Sequence, residues 1–166
     1  MNAYMRLYLI GLCFGLLLLF HNSAIAWDSG LEIENPRRMD VVIEGTNEGG
    51  QKIGLSADLI RAKVELYLRR NNIIPNAKPE YKDGYLYVNI NIVGKAFSHT
   101  VEFKRKVNYV VNGRTYEILA TVWSDSGTGT HGSDTSFIFQ HLSDGLDMFV
   151  NEYLKANPNE SKGVSP

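Results

Sequence analysis

Residues 124–134 hold the residue types of a serine hydrolase. Ser124, Asp125 and His131 supply a hydroxyl, a carboxylate and an imidazole, the three groups that perform acyl transfer when they hydrogen-bond in series. The glycines in this stretch match neither a nucleophile elbow nor a phosphate-binding loop. The same composition is typical of a connection that ends in a helix N-cap such as Asp134. The sequence therefore favours a loop here and keeps a small hydrolase as the alternative function.

Metal and thiol chemistry have little support in the sequence. The histidines after the N-terminal segment are His99, His131 and His141, and only His141 has a carboxylate, Asp144, at a spacing that shares a helix face. No third ligand follows at zinc-site spacing. The only cysteine, Cys13, lies in the N-terminal apolar segment. We therefore expect no metal, no cofactor and no catalytic thiol.

A binding surface is the stronger candidate. Aromatic and charged side chains occur at alternating positions of three adjacent segments that read as strands, so they are predicted to share one sheet face. Such a face can stack on a glycan or anchor a protein partner, and the same residues also serve as ordinary cross-strand pairs that stabilise a sheet. The residues of this predicted face are Tyr85, Tyr87, Glu102, Lys104 and Trp123.

The strands that carry this face form a predicted three-stranded antiparallel meander. Gly94-Lys95 and Asn112-Gly113 are two-residue hairpin turns, and the third strand is expected to end at Trp123. These turns fix the register and collect the aliphatic residues on the opposite face. The predicted pairs are Leu86–Phe103, Val88–Val101, Ile90–His99, Ile92–Phe97, Tyr87–Glu102, Tyr85–Lys104, Phe103–Val122, Arg105–Ala120, Val107–Ile118 and Tyr109–Tyr116, with Trp123 opposite Glu102.

Two amphipathic helices flank the meander. Ser56 is placed to cap the first helix, whose apolar stripe includes Ile60 and Val64. The second begins near Asp134 and ends at Asn157-Pro158. With a strand at residues 40–44, the predicted fold class is α+β: strand, helix, three-stranded antiparallel meander, helix. Both helices are expected on one face of a mostly antiparallel sheet.

The N-terminus reads as an export signal. Residues 1–26 combine Arg6, an apolar run from Leu7 to Phe20 and a small-x-small site at Ala24-Ile25-Ala26. The run of about 14 residues is shorter than the roughly 20 of a membrane span. We therefore expect cleavage near Ala26/Trp27, a periplasmic or secreted protein, and no stable membrane span after signal removal.

The rest of the chain has room for one domain. We predict a loose leader over residues 27–39, a single α+β domain over 40–157 and a disordered tail over 158–166. After residue 26 the chain carries 16 Lys and Arg against 18 Asp and Glu, a net charge of −2. This balance provides no general attraction to nucleic acid, so nucleic acid is not an expected partner.

The sequence contains a tyrosine-rich strand at Tyr85–Asn89 and a final helix with a Phe-x-x-x-Tyr-Leu-x-x-Asn pattern over Phe149–Asn157. In these features the chain resembles a group of small exported bacterial α/β proteins of unknown function. The layout over about residues 40 to 157 is also similar to the N-terminal domain of the Tol–Pal propeller protein. This resemblance implies interaction with an envelope component and carries over no catalytic residue.

Together these observations predict an exported, non-enzymatic domain. It is expected to bind an envelope protein or glycan through the aromatic sheet face, or through a sheet edge by strand addition.

Overall fold

A computed structural model describes residues 29–132 and 134–158, and the predicted signal peptide and the tail beyond Pro158 lie outside them. The fold is α+β, as predicted, with a mixed five-stranded sheet and three helices. None of the helices in this part of the chain is both long and apolar enough to cross a membrane. In chain order the elements are β1 Arg38–Ile43, α1 Glu48–Lys52, α2 Ala57–Arg70, β2 Ile74–Pro75, β3 Tyr85–Val93, β4 Ala96–Val111, β5 Arg114–Thr130 and α3 Ser136–Ala156.

The sheet has the order β2-β1-β3-β4-β5. β1 runs parallel to both β2 and β3, and β3, β4 and β5 form the predicted antiparallel meander. The predicted β3–β4 register is confirmed at every position, including Tyr87 opposite Glu102 and Leu86 opposite Phe103. The turn Asn112-Gly113 also sets the predicted register at the far end of β4 and β5, where Tyr109 pairs with Tyr116.

A β-bulge changes the β4–β5 register in the middle of the two strands. The predicted pairing holds as far as Lys104–Thr121, after which Phe103 pairs with Trp123 instead of Val122. One extra residue in β5 therefore moves Trp123 to the face that the helices cover. The predicted placement of Trp123 opposite Glu102 is wrong, and Ser124 occupies that position.

The third strand is also longer than predicted. β5 continues through the Ser/Gly/Thr stretch to Thr130, so most of residues 124–134 is strand rather than loop. Gly127 and Gly129 face inward, where an added Cβ would lie 2.7 Å from the ring of His99 or of Phe97. These glycines thus accommodate rings that lie against the strand, a role that composition alone does not distinguish from loop flexibility.

α2 and α3 cover one side of the sheet and form a single core with it. Ile60 and Val64 of α2, Phe149 of α3 and Val88 and Val101 of the sheet are all completely buried. At the start of α2 the predicted cap is confirmed, since the Ser56 hydroxyl accepts a hydrogen bond from the Leu59 amide at 3.1 Å. This layer leaves the other side of the meander uncovered, as the sequence predicts.

Residues 29–39 are the described part of the predicted leader, and they pack against the domain instead of standing apart from it, with Arg38 and Met39 already in β1. Leu31 is completely buried, and the side-chain amide of Asn157 donates to its carbonyl oxygen at 3.1 Å. The hydroxyl of Tyr153 donates to the carbonyl oxygen of Pro36 at 3.0 Å. Burial, with the charge of Asp83, raises the pKa of Tyr153, so this donor stays protonated at neutral pH. The polar composition and Asn35-Pro36 predict a loose leader, and this prediction is wrong because Leu31 is buried in the core.

Candidate functional site

The uncovered face of the meander carries four of the five predicted binding residues. Lys104 forms an ion pair with Glu102 at 2.9 Å, and its ammonium lies 4.3 Å from the ring centroid of Tyr87. The hydroxyl of Tyr87 donates to Glu44, and the ring of Tyr85 packs edge-on against a neighbouring tyrosine ring at 5.3 Å. These side chains thus satisfy one another across the strands.

Trp123, the fifth predicted binding residue, lies on the opposite side of the sheet. Its ring packs edge-on against Phe149 of α3, with centroids 5.2 Å apart, and its indole N–H donates to Glu152 at 2.7 Å. Trp123 therefore joins α3 to β5 and is not part of the uncovered face that carries Tyr85 and Tyr87, which we call the tyrosine face. The cause is the β-bulge, for which Val122-Trp123 gives no sign because both residues are apolar.

The residues of the hydrolase alternative lie apart. Ser124 and Asp125 are consecutive in β5 and therefore point to opposite faces. His131 lies about 20 Å further along the chain direction at the usual strand rise. Its ring nitrogens lie 2.7 Å and 3.2 Å from the carbonyl oxygens of Gly132 and Gly94. Ser124, Asp125 and His131 thus do not form the hydrogen-bonded series that acyl transfer requires.

A different histidine–carboxylate pair lies between the sheet and α3. Nε2 of the buried His99 is 3.4 Å from Oδ2 of Asp125, and Nδ1 has no hydrogen-bond partner among the described residues. Gly145 lets α3 approach this pair, because an added Cβ there would lie 2.6 Å from the Asp125 carboxylate. No hydroxyl in the described part of the chain hydrogen-bonds to His99, so the pair lacks a nucleophile. Both residues belong to the sheet, and their contact links β4 to β5.

In the described part of the chain, the outer edge of β5 carries backbone groups that no other strand pairs with. β5 pairs with β4 on one side, and among the described residues no strand lies on its other side. From Trp123 to Thr130 the strand runs about 25 Å along the body of the domain and contains no proline. Its outward N–H and C=O groups form a template on which an extended chain can add as a sixth strand.

α3 lies beside this edge and has exposed apolar side chains there. The helix packs on the sheet through Leu142 and Phe149 and faces α2 through Ser143. At 100° per residue, a third side of α3 points past β5, and this side carries Phe137, 47% exposed, and Met148, 51% exposed. We call the outer edge of β5 over Trp123–Thr130, together with four side chains on this side of α3, the β5 edge site. The members of α3 in this site are Phe137, His141, Met148 and Glu152.

The β5 edge site could be predicted only in part from the sequence. The sequence predicts edge pairing as one of two contact modes, but it also predicts that the strand ends at Trp123. Phe137 and Met148 are eleven residues apart, which is three helical turns, and this spacing could have marked an apolar stripe apart from the core stripe. Two residues make that signal weak.

The described residues include no group of three or more His, Cys, Asp or Glu side chains that is arranged to hold a metal ion. No known protein family matches the chain, and neither a curated protein nor a solved structure matches it significantly.

Proposed function

We propose that the chain is an exported, non-enzymatic binding domain of the cell envelope that takes up an extended segment of a partner protein by strand addition on β5. The observation that carries the proposal is the β5 edge site. It combines a proline-free unpaired strand edge with exposed Phe137 and Met148 alongside. Export rests on the predicted signal peptide over residues 1–26.

Strand addition fits the chemistry of this site. An added strand gains main-chain hydrogen bonds from the edge of β5, which require no particular partner sequence. Alternate side chains of that strand would face α3, where Phe137 and Met148 offer large apolar contacts at either end. Affinity then comes from the backbone hydrogen bonds, and selectivity comes from the apolar side chains of the added strand that contact Phe137 and Met148.

The tyrosine face is the weaker contact surface in this proposal. Its ion pair and its tyrosine hydroxyl hydrogen bond are already made within the sheet. A glycan would have to break or share these interactions to bind. A protein segment at the β5 edge adds hydrogen bonds without breaking any within the domain. The resemblance to envelope modules agrees with a protein partner and stays a prediction.

Site-specific photocrosslinking in cells tests the proposal. The full chain, produced in a Gram-negative host, carries the photoreactive residue benzoylphenylalanine in place of Met148, and a matched chain carries it in place of Leu66, which is 45% exposed on α2. We expect a mature chain that begins at Trp27 and a discrete protein adduct from position 148 only. Phe137→Asp should remove that adduct. Equal adducts at both positions, or none at position 148, would refute strand addition, and a cytoplasmic unprocessed chain would refute export.

A further inference from the structure

The far ends of β4 and β5 project from the domain as a two-stranded ribbon. β3 begins at Tyr85 opposite Lys104, so in the described structure the segment Arg105–Val111 of β4 pairs only with β5. At the usual rise this ribbon extends about 20 Å beyond Tyr85, the first residue of β3. The ribbon is thus a separate structural unit on the same two strands.

One face of the ribbon is almost entirely apolar. We call this face the hairpin ladder, and the rings of Tyr109 and Tyr116 stack in it with centroids 5.3 Å apart. Ile118 is 45% exposed there. The opposite face is mixed, and on it Lys106 and Glu117 form an ion pair at 2.9 Å. The residues of the hairpin ladder are Val107, Tyr109, Val111, Tyr116 and Ile118.

The hairpin ladder continues the side of the sheet that the helices cover. Phe103 and Val101 have the same alternation in β4 as Val107 and Tyr109, and both are completely buried under α3. An apolar sheet face of this kind normally lies against a second layer. In the described residues no element covers the ladder.

We propose that the hairpin ladder packs against the hairpin ladder of a second copy of the chain. A two-fold axis across the ribbon would place the two ladders face to face and antiparallel, with each covering the other. This occupant matches the surface because the ladder is uncharged in its middle and two copies of it are equal in length. A face-to-face pair of ribbons supplies the missing second layer with the chain's own sequence.

The charges at the two ends of the ladder favour the same arrangement. Arg114 lies on the ladder face at the tip of the ribbon, opposite Val111. At the base, the guanidinium of Arg105 donates to the main-chain carbonyl oxygens of Gly30 and Glu32, which places the backbone of Glu32 beside the ladder. An antiparallel pair of ladders brings the tip of each copy over the base of the other. Arg114 would then lie near the carboxylate of Glu32 of the second copy.

The Glu32 carboxylate is ionised at neutral pH. Partial burial acts to raise its pKa, but hydrogen bonds from the backbone of Glu32 and from Ser29 hold the pKa below its usual value. The pairing with Arg114 is therefore between opposite full charges, which favours the antiparallel arrangement over a parallel one.

The contact would be small. A tyrosine side chain buries about 200 Å² when fully covered and an aliphatic side chain buries less, so the five partly exposed side chains supply at most on the order of 400 Å² per copy. Stable interfaces bury roughly 800 Å² per partner. We therefore expect a dissociation constant in the range of about 10 to about 100 μM, and a monomer–dimer equilibrium instead of a permanent dimer.

Sedimentation equilibrium of the mature chain from about 5 to about 500 μM tests the proposal. We expect reversible dimerisation in the wild type. The dissociation constant of the dimer should rise more than tenfold in Ile118→Lys and should stay nearly unchanged in Leu119→Lys. Leu119 is the matched control because it is the next residue, is 55% exposed and points to the other face. Far-ultraviolet circular dichroism checks that both variants are folded.

Three outcomes would overturn the proposal. The first is a wild-type monomer at every concentration, and the second is an equal rise of the dissociation constant in both variants. The third is a wild-type monomer that also co-sediments with phosphatidylglycerol vesicles, which would identify a lipid surface as the occupant. The result is separable from strand addition, because Ile118→Lys leaves Trp123–Thr130 and α3 unchanged. Its failure would not alter the crosslink from position 148.

Discussion

The same two strands, β4 and β5, behave differently in the body of the domain and in the projecting ribbon. In the body, Phe103 on the helix side is completely buried, whereas in the ribbon Tyr109 on the same side is 43% exposed. The alternation that selects the face is identical. The comparison shows that strand periodicity determines which way a side chain points, while the extent of the helix layer determines whether it is buried.

The lengths of the elements explain where the cover ends. α3 has 21 residues and spans about 31 Å, whereas the 17 residues of β5 span about 58 Å. A helix that begins beside Thr130 therefore reaches only about half of the strand. The bulge near Val122 and the guanidinium of Arg105 lie at this limit, so the ribbon begins where the helix layer stops.

The largest expected difference between the two regions is in stability. Phe103→Ala removes a ring that stacks on Phe149 at 5.9 Å and meets Tyr153 at 6.2 Å, so we expect a loss of about 3 to 5 kcal/mol in the free energy of unfolding. Tyr109→Ala in the ribbon should cost less than about 1 kcal/mol, since it removes one cross-strand pair. Urea denaturation at a concentration below dimerisation measures both. Equal losses would mean that the ribbon is covered in solution even in the monomer.

The second prediction concerns the close approach of core rings to the body of β5. Gly127→Ala would place a Cβ 2.7 Å from Cε1 of His99, and we expect this overlap to cost about 1 to 3 kcal/mol. Gly132→Ala is the control, because an added Cβ there meets no atom within 4 Å. It should change the free energy of unfolding by less than about 0.5 kcal/mol. If both variants were equally stable, Gly127 would not pack against His99, and residues 124–134 would form the loop that their composition predicts.

Much of the sheet could be predicted from the sequence because turn chemistry fixes register. Gly94-Lys95 and Asn112-Gly113 are local signals, and each sets the pairs that follow from it. The bulge could not be predicted, since either Val122 or Trp123 opposite Phe103 gives an apolar pair. The parallel position of β1 between β2 and β3 could not be predicted either, because it depends on packing between segments distant in the chain.

The candidate site was less accessible to sequence reasoning than the fold. Tyr85 and Tyr87 share a face because of strand alternation, which the sequence displays directly. The β5 edge site depends on which strand is outermost and on which side of α3 points past it. Neither property is local, and the glycines of β5 resemble those of a loop. Trp123, which the alternation predicts on the same face as Tyr87, lies on the other face because of one inserted residue.

The smallest expected effect tests the boundary between the two regions. Arg105 has the alternation of a buried residue, and its Nη1 donates to the carbonyl oxygens of Gly30 at 3.1 Å and of Glu32 at 2.6 Å. Arg105→Met retains the packing of the aliphatic part of the side chain and leaves both carbonyls without this donor, so we expect a loss of about 1 to 2 kcal/mol. Hydrogen exchange should become faster at the amides of Leu31 and Ile33 and remain slow in β3. Arg105→Lys should give an intermediate effect, because an ammonium group cannot reproduce the guanidinium geometry toward two carbonyls. If exchange accelerated throughout the sheet, Arg105 would be part of the core of the body and would not mark its limit.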